Sequence, residues 1–207
     1  MSGLGSPFVF ATVQYESGDW DSAPLVPANI IDTIARYTQI DVAPNGVVVP
    51  LSSPDLFRYP FVYLTGHLPV RFGDAERANA RAWAERGGFL FVDDHNHDVD
   101  GQFHRTVTEE ITRTFGPLTR LPNRHPLYSA FFRYEDGPPA TSHELNGWGD
   151  NIVHRYLDAA LINGKIAVLY SLKDYSSEWN YRPQNKRLFA VDNTKFAVNV
   201  VVHALTR

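Results

Sequence analysis

The densest chemistry in the sequence is Asp93 to His104, DDHNHDVDGQFH, with four aspartates, three histidines and an asparagine in twelve residues. Imidazole and carboxylate are ligands for zinc, manganese, iron, nickel or copper, and His95-x-His97 on a loop can turn two rings toward one ion. His67 offers a third nitrogen from another segment, and Asp94 or His104 a further oxygen or nitrogen. The expected metal ligands are His67, Asp94, His95, His97 and His104, and the expected cofactor is a divalent transition metal. The competing reading is a solvated loop whose carboxylates cap the following helix.

Two better-known loops were compared with this one. A metallo-β-lactamase-type H-x-H-x-D-H would need Asp at 99 and His at 100, where the chain has Val99 and Asp100. Asn96-x-Asp98-x-Asp100-Gly101 fits the first half of an EF-hand calcium loop, but Val107 stands where its bidentate Glu belongs, so calcium is the lesser expectation.

A second cluster is Thr141 to Asp150, TSHELNGWGD. His143 and Glu144 are the candidate catalytic pair, as base and orienter or as further ligands, and Trp148 between glycines can wall a pocket. Asp19 and Trp20, with Asp174, Tyr175 and Trp179, are the remaining ligand-binding candidates. His125, His154 and His203 read as structural or solvent-exposed and receive no role.

Other chemistries are missing. The chain has no cysteine, which excludes disulfides, thiolate zinc sites, iron–sulfur clusters and cysteine nucleophiles. It has no P-loop, dinucleotide fingerprint or G-x-S-x-G elbow. A net charge of −4 and scattered arginines give no nucleic-acid footprint, and no apolar run of membrane-spanning length occurs. Met1 to Ser6 lacks a basic, apolar leader. The expected location is cytoplasmic as written, or periplasmic if an export signal has been removed.

The elements that must position these groups follow from periodicity. The 207 residues, 43% hydrophobic and 20% charged, suit one domain spanning 1–207. Strands are expected at Phe8–Val13, Val47–Leu51, Phe61–Leu64, Phe89–Val92 and Ile166–Tyr170. Helices are expected after an Asn29 cap, from Asp74 to Gly87-Gly88, over about 103–115, and at Phe196 to Leu205. Residues 117–163, broken by prolines, read as an irregular insertion. The fold class is α/β, a three-layer sandwich on a mainly parallel doubly wound sheet of about five or six strands. Such sheets bind ligands beyond the C-terminal ends of their strands, where the polar clusters fall.

Several segments together carry a family resemblance. They are Tyr15-Glu16-Ser17-Gly18-Asp19-Trp20, Pro60-Phe61-Val62-Tyr63-Leu64-Thr65-Gly66-His67, Gly87-Gly88-Phe89-Leu90-Phe91-Val92-Asp93-Asp94, His143-Glu144-Leu145-Asn146-Gly147-Trp148-Gly149, Val168-Leu169-Tyr170-Ser171, and Asn199 to Thr206. The chain resembles the bacterial domain-of-unknown-function family 4159. The resemblance implies a flavodoxin-like, class I glutamine amidotransferase-like fold, related to trehalose-utilisation-like proteins. The amidotransferase nucleophile is a Cys, so no glutaminase activity carries over. Two functions stand against each other. One is a binding or assembly module that takes a metal, a small polar ligand or a partner protein. The other is a metal-dependent hydrolase or isomerase acting on a sugar- or amide-like substrate. A homodimer is expected on frequency alone.

Overall fold

In Phe61-Val62-Tyr63-Leu64 and Phe89-Leu90-Phe91-Val92 every side chain is buried, and successive residues belong to opposite apolar clusters. That is the signature of a strand covered on both faces. The computed structural model describes residues 6–182 and 193–207. These runs are its central strands β3 (Phe61–Gly66) and β4 (Phe89–Asp94). The start of the chain, read above for an export signal, lies outside the described residues as far as Gly5.

Among the described residues there is one sheet, of seven strands in the order β2-β1-β3-β4-β7-β6-β5. Strands β2 (Val47–Pro50), β1 (Ala11–Gln14), β3, β4 and β7 (Lys165–Ser171) run parallel. Strands β6 (Asp158–Ile162) and β5 (Thr119–Arg120) complete one edge antiparallel. Helices α1 (Val26–Tyr37), α5 (Tyr175–Trp179) and α6 (Thr194–Thr206) cover one face, packing on Phe61, Tyr63, Phe89 and Phe91. Helices α2 (Asp74–Glu85) and α3 (Gln102–Thr114) cover the other, on Val62, Leu64, Leu90 and Val92. The result is the expected three-layer α/β sandwich, with seven strands rather than five or six. Among the described residues no helix is long and apolar enough to cross a membrane.

Three local expectations change. The ladder of β1 begins at Ala11, while Phe8 makes an isolated bridge to Val42. Asn29 does not cap α1; the helix starts at Val26 with a proline in its first turn. The Asn29 amide instead donates to the carbonyls of Trp179 (2.6 Å) and Tyr181 (2.8 Å), joining α1 to the end of α5 and the residues just after it. The stretch 117–163 is not wholly irregular, because β5 and β6 lie within it and pair with each other.

Parallel pairing brings the C-terminal ends of β1, β3, β4 and β7 to one edge, with Gly66 opposite Asp94 and Asp93 opposite Ser171. The strand order reverses between β1 and β3, and in such sheets a ligand crevice opens at that point. The hydrophobic face beneath the edge sets its rigidity. Phe91, fully buried, has its ring 6.2 Å from that of Tyr63 and 5.5 Å from that of Trp179. Phe91→Ala is expected to lower stability by about 3–5 kcal/mol, read as a fall in the urea midpoint at unchanged slope.

Candidate metal centre

Beyond β4 the chain turns at once. The Asp94 Oδ1 accepts the Asn96 N–H (2.8 Å), and His97 follows in left-handed backbone at φ 50°. The His97 ring is 1% exposed. Its Nδ1 lies 2.6 Å from the Leu172 carbonyl, just past β7. A carbonyl only accepts, so Nδ1 carries a hydrogen, and in the neutral ring Nε2 presents a lone pair. That Nε2 is buried and has no hydrogen-bond partner. Such an orientation of imidazole by an outer carbonyl is what metal-ligating histidines usually have.

Asp150 and His154 face that nitrogen. The Asp150 Oδ1 is 3.4 Å from His97 Nε2, and its Oδ2 accepts from His154 Nε2 at 2.8 Å. One ligand atom from each of His97, Asp150 and His154 lies within 4.8 Å of the others. Burial works against the charge on Asp150, but the bonds from His154 and from the Ile152 N–H hold it below the usual carboxylate range. The backbone makes the approach close: the Asp150 N–H donates to the His97 carbonyl at 2.8 Å. A Cβ on Gly149 would stand 1.9 Å from that oxygen, and its φ of +64° also demands glycine.

The loop carrying Asp150 and His154 is held by a fully buried ion pair. Lys173 Nζ donates to both oxygens of Glu144 (2.7 Å each) and to the His154 carbonyl. The same carboxylate accepts the N–H groups of Thr141 and His154 (2.8 Å each), and Thr141 Oγ1 donates to the Lys173 carbonyl (2.7 Å). Glu144, within α4 (Ser142–Leu145), thus has its carboxylate engaged by Lys173 and two backbone N–H groups.

A second group lies along the same edge. Asp19 Oδ1 accepts the N–H groups of His67 (2.8 Å) and Leu68 (2.9 Å), while Oδ2 meets His67 Nδ1 at 2.8 Å. The rings of His67 and His95 stack with centroids 4.1 Å apart. His95 Nδ1 is 3.1 Å from Ser22 Oγ, and its Nε2 is 4.0 Å from Asp174 Oδ1. His143 Nδ1 is 3.7 Å from Asp174 Oδ2. Burial pushes the His95 imidazole down to about 3, with the charge of His67 adding to it.

Of the five ligands expected from sequence, only His97 belongs to the close trio. Asp94 is fully buried outside it, His67 and His95 form the stacked pair, and His104 Nδ1 binds the Tyr170 hydroxyl at 2.7 Å from α3. Asp98 and Asp100 shape a turn into α3, with Asp98 Oδ1 accepting the Asp100 N–H, rather than half a calcium loop. Tyr175 and Trp179 are not rim walls; they stack at 5.3 Å inside the core at 0% and 1% exposure. Trp20 is half-buried against the α2–α3 side. Trp148 is 64% exposed, with the His143 ring edge-on at 5.6 Å. Asp150 and His154 were missed. Their four-residue spacing was the available hint, but nothing local tied them to the His97 loop.

Two outcomes follow. Lys173→Met or Glu144→Gln alone is expected to cost about 3–5 kcal/mol, because each strands a buried charge. The double variant costs less than the sum of the two, as a urea double-mutant cycle would read. The pH response concerns Asp94 and Asp93, which burial pushes up to about 8 and about 6. The folded chain then holds protons on these two groups that the unfolded chain has released, so their contribution to stability falls as pH rises between about 4 and about 8. In chelator-treated protein, the urea midpoint of Asp94→Asn relative to wild type is expected to be higher at pH about 8.5 than at pH about 5.5.

The family described as a domain of unknown function, DUF4159, matches residues 9–205, a span that takes in every strand of the sheet and both groups of polar residues. No curated protein matches the sequence. The chain therefore belongs to the DUF4159 family of domains of unknown function.

Proposed function

We propose that this domain is a binding module for a divalent transition metal, held by His97 Nε2, Asp150 and His154, with a polar ligand or partner approaching along the same strand edge. The observation that carries this reading is the buried, unpartnered His97 Nε2. Leaving such an atom unsatisfied costs about 1–3 kcal/mol. An ion placed between three converging ligand atoms accounts for it. Two imidazoles and one carboxylate suit zinc, manganese, iron, nickel or copper, whereas calcium takes an all-oxygen shell.

One observation favours the enzymatic alternative. Three protein ligands leave a coordination position for water, as catalytic rather than closed structural centres do. A bound ion would then supply an acidic water for hydrolysis or isomerisation of a small sugar- or amide-like substrate. Turnover in a panel of such substrates, abolished in a His97→Ala variant, would move the assignment from module to enzyme.

The test of the metal reading is direct. Untagged protein is dialysed against zinc and its bound metal measured by plasma mass spectrometry. The His97→Ala/His154→Ala variant is expected to hold one equivalent fewer than wild type. Zinc at about a hundred times its Kd should stabilise wild type by about 2.7 kcal/mol, an increment the variant loses. Equal metal content in a folded variant would overturn the reading.

A further inference from the structure

An ion between His97, Asp150 and His154 leaves the neighbouring polar groups unexplained. Asp174 stands between two imidazoles, with Oδ1 4.0 Å from His95 Nε2 and Oδ2 3.7 Å from His143 Nδ1. Both separations are too long for hydrogen bonds. They are close to the span between two donors on one ion with bonds of about 2.0–2.2 Å. His143 Nδ1 is buried and unpartnered. His95 is aimed by its other nitrogen on Ser22, and Asp174 is set by left-handed backbone (φ 56°, ψ 49°) with Oδ1 also accepting the Ser177 N–H.

Asp94 supplies an independent observation. It is fully buried, and while its Oδ1 accepts the Asn96 N–H, its Oδ2 has no partner. The nearby buried cation, Lys173, is bound by both oxygens of Glu144 and is not available to these carboxylates.

We propose that His95, His143 and Asp174 form a second site for a divalent transition metal. The proposal extends the reading of the first centre, but the second ligand set stands on its own distances. These atoms are more widely spread than those of the trio, among the described residues the one group whose ligand atoms all lie within 4.8 Å. The second ion must draw its ligands together and so binds more weakly.

The experiment is a zinc titration of untagged, chelator-treated protein by calorimetry, with bound metal counted by plasma mass spectrometry. Wild type should take two equivalents in two steps. His143→Ala/Asp174→Asn should lose the weaker step and keep the stronger, while His97→Ala/His154→Ala should lose the stronger. His95→Gln, a milder change, should weaken only the second step, and circular dichroism checks that each variant is folded. A single equivalent in wild type overturns the second site, as does a weaker step that survives His143→Ala/Asp174→Asn. A stronger step that survives His97→Ala/His154→Ala instead overturns the first centre.

Discussion

The edge that carries both polar groups depends on one ion pair, Lys173 with Glu144. An ammonium and a carboxylate taken wholly out of water are unfavourable unless every donor and acceptor finds a partner. Here Lys173 reaches both carboxylate oxygens and the His154 carbonyl, and Glu144 also takes two backbone N–H groups. Lys173 follows β7 by two residues, and Glu144 lies in the loop that ends in Asp150 and His154. The pair thus fastens an otherwise proline- and glycine-rich loop to the sheet, at the level where His97 leans on Leu172.

The same edge concentrates backbone conformations that other positions avoid. His97 and Asp174 are two of the four non-glycine residues with positive φ among the described residues, and both point a ligand atom into the polar groups. Left-handed backbone at a non-glycine residue persists only where the surroundings fix it. At Asp174 the fixing comes from α5, whose Ser176 binds the Asp93 carboxylate through its N–H and its hydroxyl. The buried Tyr63 and Thr65 hydroxyls complete that network from β3. Sheet, helix start and ligand loops are therefore one hydrogen-bonded body.

Much of the fold was legible in the sequence, because strands buried on both faces write themselves as unbroken apolar runs. Phe89-Leu90-Phe91-Val92 is the plainest case. Strand β5 was not legible: it has two residues, both exposed, and nothing periodic to read. Strand β6 was masked by the proline-rich stretch around it. Of the site, the His97 loop declared itself by density alone. Its partners Asp150 and His154 lie far along the chain and are brought back by Lys173 and Glu144, a pairing that no local pattern encodes. Tyr175 and Trp179 show the reverse error. Their four-residue spacing already fitted a buried helix face, and polar neighbours drew them toward the rim.

The hydrogen bond between His154 Nε2 and Asp150 Oδ2 has a consequence for traffic at the centre. A carboxylate accepts, so that nitrogen carries hydrogen while the bond stands. An ion held as proposed would take the same nitrogen only once this hydrogen had moved, to Nδ1 in the neutral ring or to solvent from the doubly protonated one. On that reading the nitrogen would carry one occupant or the other, and the Asp150 carboxylate would serve as the counter-charge for whichever is present.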